Sequence, residues 1–220
     1  MAAKKEVASL RGAKLIKKAI EAAKASGLIA SPDPLPANLV RKMKLPNGEP
    51  LSPAMKELLA FDTGWLGIDY DDDEAEIEAM SLEEIIEEHF GEDAVEAFGE
   101  AYEMLSEDFV FFGNEIGRPS CLYLGAVDDA SEYPVISLSW QADVARIGGF
   151  VPFDVWAAQE LGALERGKDI GDVPKEYAAL PKALADANGD GRVVFTPAPG
   201  EPPRGRGEDE DDDDEDDDED

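Results

Sequence analysis

The sequence predicts an α+β fold, with a mostly antiparallel sheet flanked by helices. Two observations carry this. Several segments before residue 106 repeat their apolar residues at the helical period. After Asp108 the period changes, and three short runs rich in aromatic and β-branched residues follow one another across short polar turns. Adjacent strands joined by short loops pair antiparallel.

The first helical pattern covers residues 4–26. Val7, Leu10, Ile16, Ile20 and Ala23 fall near one stripe, and Lys14, Lys17, Lys18 and Lys24 lie mainly off it. Gly27 is the expected stop. The next stretch, "SPDPLPANL", has three prolines in nine residues and suits neither a regular helix nor a central strand. It reads as a linker, and the basic helix before it as a satellite able to fold back on an acidic body. In "LSPAMKELLAFDTGWLG", Ser52 is an N-cap with Pro53 at the first helical position. That helix is expected to end near Phe61. "DYDDDEAEIEAM" reads as an acidic loop. Ser81 and Glu84 have capping-box spacing ahead of a stripe of Leu82, Ile85, Ile86 and Phe90, and Gly91 ends the helix. Ala94, Val95, Phe98, Tyr102 and Leu105 give a further helix.

Strands are expected at 109–112, 121–126 and 133–140, separated by "GNEIGRPS" and "VDDAS". "PFDVWAAQELGALERG" then reads as helix, anchored by Phe153, Trp156, Leu161 and Leu164. A short helix, a tight turn and a short strand follow, and from Pro197 onward proline, glycine and charge point to disorder. The organisation is therefore a basic helix and linker over 1–34, an α+β domain with a C-terminal extension over 35–196, and an acidic tail over 197–220.

The formal charge of −31 is placed unevenly. Residues 1–44 hold ten Lys/Arg against Glu6, Glu21 and Asp33, a net of +7, so the remainder carries −38. All thirteen residues from Glu208 to Asp220 are acidic, yet without them the chain still stands at −18. Such a field repels nucleic acid and anionic membrane and attracts basic proteins. The bland alternative is a highly charged, soluble surface. One cysteine, Cys121, excludes an internal disulfide and fits a reducing compartment. No apolar run reaches a membrane span, and no apolar stretch follows Lys4 and Lys5 as a secretion signal needs, so a cytoplasmic protein is expected.

The ingredients of common catalysis are mostly missing. There is no phosphate-binding glycine loop, no nucleophile elbow and no CxxC pair. His89 stands alone on a Glu-rich helix without a metal-binding partner, and Cys121 reads as a buried thiol. "DANGDG" places Asp186, Asn188, Asp190 and Gly191 as in the first half of a calcium loop. Position 12 would be Pro197, where a bidentate glutamate is needed, so a β-turn explains the same residues. No cofactor and no metal are expected. The acidic loop carrying Asp69, Asp71, Asp72 and Asp73, and the turn carrying Asp128 and Asp129, are the partner-binding residues expected of an exposed acidic surface.

The order of these segments resembles the SMI1/KNR4 (SUKH) superfamily. Leu51–Asp62 is similar to the family's "LPxxLxxFLxxxNG" helix. Phe112-Gly113, Gly117, Leu122, Leu124, Pro134-Val135 and Asp143 follow its sheet pattern, and Phe150–Leu161 its closing helix. The likeness covers roughly residues 35–165. It departs at Arg118-Pro119, where Gly-Asp is usual, and at Trp140-Gln141, where His-Asp is familiar. The resemblance implies a non-catalytic protein-binding module, an immunity protein that neutralises a toxin, often a nuclease. The alternative is an acidic scaffold or regulatory protein for other basic partners. Oligomeric state is left open.

Overall fold

The structure is a computed structural model that describes residues 7, 9–68, 70–71, 75–98, 105, 109–112, 119–141, 144–165 and 193–196. Its centre is a five-stranded sheet of order β3-β4-β5-β6-β7. The strands are β3 (Phe109–Phe112), β4 (Ser120–Tyr123), β5 (Pro134–Gln141), β6 (Val144–Pro152) and β7 (Val193–Thr196). The first four pair antiparallel, while β7 runs parallel to β6. A separate two-stranded ribbon joins β1 (Tyr70–Asp71) to β2 (Glu76–Ile77), within the stretch read as an acidic loop.

Strand alternation sends side chains to two faces, and each face builds its own core. On one face Val110, Phe112, Leu122 and Val135 pack with α1 (Gly12–Ser26), α3 (Pro53–Leu59) and α6 (Phe153–Glu160). On the other, Phe109, Cys121, Ile136, Leu138 and Ile147 pack with α4 (Leu82–Phe90) and α5 (Glu92–Phe98). The short α2 (Ala37–Val40) lies between α1 and α3 in sequence and adds Val40 to the first core. Phe112, Phe153 and Trp156 form an aromatic group there, with Phe112 and Trp156 stacked at 5.0 Å.

Local chemistry sets the helix ends as expected. Ser52 accepts from the Met55 N–H at 3.2 Å, with Pro53 at the first position of α3. Ser81 and Glu84 form a reciprocal capping box on α4. Gly27 caps α1 in the left-handed region, φ 73°.

Besides the β1–β2 ribbon, and α2, which takes Ala37–Leu39 from the stretch read as a linker, three elements differ from expectation. The helix expected over 4–26 is broken, because Arg11 is extended (φ −139°) and α1 starts at Gly12. The buried stripe is therefore Leu15, Ile16, Ala19 and Ala23, while Leu10 and Ile20 are only partly buried. The helix expected near Phe61 ends at Leu59. The longest strand, β6, was not among the expected strands, and its last residues, Phe150–Pro152, fall in the stretch likened to a closing helix. A bulge between Val135 and Ser137 of β5 sets one residue, Ile136, opposite Gly149 and Phe150 of β6. Gly149 has φ 102°, and a Cβ there would lie 3.1 Å from the Val135 carbonyl oxygen, so any larger residue would be strained. The Gly148-Gly149 pair is the device that bends the strand.

Among the described residues, no helix is long and apolar enough to cross a membrane. The half calcium loop at 186–191 and the tail lie outside the described residues, as do Tyr102, Gly113, Gly117, Arg118 and Asp143.

Candidate partner-binding surface

The turn between β4 and β5 folds around Asp128. Its Oδ1 accepts from the backbone N–H of Ala130 at 2.8 Å and of Glu132 at 2.9 Å. Its own N–H donates to the Glu132 carbonyl, and its carbonyl accepts from Ser131. Aspartate is suited to this because a short carboxylate reaches the backbone two residues on. The other oxygen, Oδ2, pairs with Arg11. Asp128 is consequently buried, at 7% exposure. This corrects the expectation of an exposed turn carboxylate: Asp128 builds the turn, and Asp129 beside it is the residue presented to solvent.

Arg11 joins three segments remote in sequence. Its Nε donates to Asp154 Oδ2 at 2.8 Å and its Nη2 to Asp154 Oδ1 at 3.1 Å, a two-pronged contact. The Gly12 N–H donates to the same carboxylate, so Asp154 fixes the first turn of α1 as well. Burial opposes the Arg11 charge, but Asp154 and then Asp128 more than offset it and hold the guanidinium more firmly protonated. Next to them lies Glu132, with 0% exposure. Its Oε1 accepts from the Ala54 N–H at 3.0 Å, and the Ser52 side chain is also hydrogen bonded to it. Burial pushes its carboxyl up to about 8, with Asp154 and Asp128 adding repulsion. Glu132 is therefore neutral at pH 7.

These four ionisable residues are structural. They bolt the tip of the β4–β5 hairpin to the starts of α1, α3 and α6. Periodicity does not reveal them, because the contacts span 78 to 143 residues.

The acidic groups that face solvent lie elsewhere. Asp71 is exposed on β1, directly opposite exposed Glu76 on β2. Like charges set directly opposite repel, and an approaching cation relieves them. Asp69, Asp72 and Asp73 lie outside the described residues. Among the described residues, a broad acidic surface lies on α4 and α5. With Leu82, Ile85, Ile86, Ala94 and Phe98 turned into the core, Glu83, Glu84, Glu87 and Glu88 line the outside of α4. Glu92, Asp93 and Glu96 extend it along α5. The sequence between Leu82 and Phe98 has no Lys or Arg. The pattern was legible as the polar side of the Leu82/Ile85/Ile86 stripe. Its continuity with α5 is a matter of packing. His89 shares this helix and lies against Phe111, ring centroids 4.5 Å apart.

Large apolar groups are scarce outside. Among the described residues only Leu28 (54%) and Val127 (50%) are strongly exposed, the latter two residues from Asp129. Cys121 is fully buried and burial raises its thiol well above the ordinary range, which suits a packing role. Among the described residues, no group of His, Cys, Asp and Glu side chains is arranged to hold a metal ion.

Comparison with protein-family models, with curated proteins and with solved structures gave no match.

Proposed function

We propose that this chain is a non-catalytic, cytoplasmic protein-binding module whose partner is a basic protein, and that it acts as an immunity protein against a toxin. The observation that supports it is the acidic α4–α5 face, built on a rigid core and without a neighbouring Lys or Arg in its own sequence. An acidic inhibitor is electrostatically matched to a nuclease, whose surface must be basic to hold phosphate. Such a match raises the association rate more than it raises affinity. The order of motifs from Leu51 to Leu161 supports the same class by resemblance.

The test is co-expression with any toxin encoded by a neighbouring gene. Binding together with rescue of growth is the expected outcome. Failure of both, with this and other toxins, overturns the immunity reading. At the surface, reversing Glu87 and Glu88 to lysine is expected to slow association at low salt. An unchanged on-rate would remove α4 from the interface.

A second reading, an acidic scaffold for other basic proteins, is favoured by one observation. Tight inhibitor interfaces rest on buried aromatic anchors, whereas the described surface offers Val127 and Leu28 as its strongly exposed large apolar groups. A weak, salt-sensitive complex with a housekeeping protein would decide for it.

A further inference from the structure

The molecule is electrically two-sided. The α4–α5 layer on one face of the sheet is acidic, and α1 on the opposite face carries the opposite sign. Lys14, Lys17, Lys18 and Lys24 are all exposed on α1. At about 100° per residue the four fall within about a third of the helix circumference, a stripe about 15 Å long at 1.5 Å per residue. Glu21 is the acidic residue within it, bonded to Lys18 at 2.7 Å, and Lys17 reaches Glu57 at 3.2 Å. Lys24 lies over the Phe61 ring at 4.6 Å. The stripe keeps a net positive charge in a chain of −31.

We propose that this stripe is the docking surface for the chain's own acidic segment, Glu208–Asp220. Direction and reach support this choice of occupant. Strand β7 runs parallel to β6, with Thr196 opposite Gly148. The chain therefore leaves the sheet heading toward Pro152, where α6 begins and where Asp154 holds the first turn of α1. From the level of Gly148 to that end is about 13 Å at 3.3 Å per residue. Residues 197–207 separate Thr196 from Glu208, and a connection of this length spans up to about 40 Å. That is enough to bring the segment onto Lys14 and along the stripe. Charge complementarity favours it, since thirteen consecutive carboxylates exceed the Glu21 and Glu57 that Lys18 and Lys17 already meet.

The competing occupant is the acidic face of a second copy. A tether of this length gives an effective concentration on the order of millimolar, so the intramolecular contact wins in dilute solution. The docked segment covers the lysine stripe of α1 and so shields it from the acidic α4–α5 face of other copies. That suppresses head-to-tail stacking of copies. This inference goes beyond the function proposed above, and its test needs no partner.

Zero-length carbodiimide coupling of the full chain joins lysine amines to carboxylates already in contact. Peptide mapping of the monomer fraction is expected to show 208–220 coupled to Lys14, Lys17, Lys18 or Lys24. Yields should fall several-fold between about 20 mM and about 500 mM salt, as screening requires. Replacing the four lysines with glutamine is expected to move α1 backbone amide shifts toward those of the high-salt protein, a readout independent of coupling chemistry. Three results overturn the proposal. One is coupling confined to the dimer band. Another is coupling spread equally over Lys42, Lys44 and Lys168. The third is α1 amide shifts that do not respond to salt.

Discussion

Glu132→Gln is expected to stabilise the protein above neutral pH and to change little near pH 5. Glu132 has 0% exposure, accepts from the Ala54 N–H, and has its carboxyl pushed up to about 8 by burial, with Asp154 and Asp128 adding repulsion. In the unfolded chain the group titrates at its ordinary 4.5. Between these two values the native state holds a proton that the unfolded state has lost. Stability is thus fully present below pH 4.5 and drains away as pH rises through about 8. A difference of about 3.5 units at 1.36 kcal/mol each sets an upper bound of about 5 kcal/mol, and relaxation around the ionised group will reduce it. Glutamine is isosteric with the protonated acid and keeps an acceptor for Ala54. The assay is urea unfolding of both proteins from pH 5 to 9. The gap between variant and parent should widen by several kcal/mol across that range. Parallel curves would refute the account of Glu132 as a buried, neutral acid.

Three further outcomes follow from the same geometry. Arg11→Met leaves Asp154 and Asp128 buried without their cation and is expected to cost about 2–4 kcal/mol, less than for a dry pair because Arg11 is 35% exposed; a loss below about 0.5 kcal/mol in urea unfolding would argue against the bolt. Gly149→Ala must hold φ 102° with its Cβ 3.1 Å from the Val135 oxygen, and is expected to cost about 1–3 kcal/mol; a thermal midpoint equal to the parent's would show that the bulge relaxes freely. The Cys121 thiol is expected to react with a thiol reagent only as fast as the protein opens, since it is wholly buried and its pKa is raised; rapid labelling of native protein would contradict its place in the core.

Much of the architecture was legible because its causes act over one turn of chain. Ser52 with Pro53, the Ser81–Glu84 box and Gly27 each act on backbone groups within a few residues, and all three cap helices where expected. The strands at 109–112, 121–126 and 133–140 were legible from composition, to within a residue or three at each end. The alternation within them also settles which side chains meet which helical layer, so Cys121 and Phe109 share one core and Val110 and Phe112 the other. The acidic side of α4 follows in the same way from the Leu82, Ile85 and Ile86 stripe.

The tertiary structure alone decided the rest. Strand β6 was not among the expected strands, and the role of Gly148-Gly149 follows only from its partner across a bulge. Asp128 reads identically in sequence whether it faces water or Arg11, and only the fold brings a residue 117 positions away to its side. Glu132 acquires its raised pKa from burial and from Asp154, neither of which is encoded near it in the chain. By itself the sequence determined where α3 and α4 start and where α1 stops, which runs become β3, β4 and β5, and how charge divides between the first 44 residues and the remainder. It did not determine which carboxylates are structural and which are presented to solvent. Desolvation and ion pairing depend on what stands within a few ångströms in space, and for this cluster those neighbours come from opposite ends of the fold.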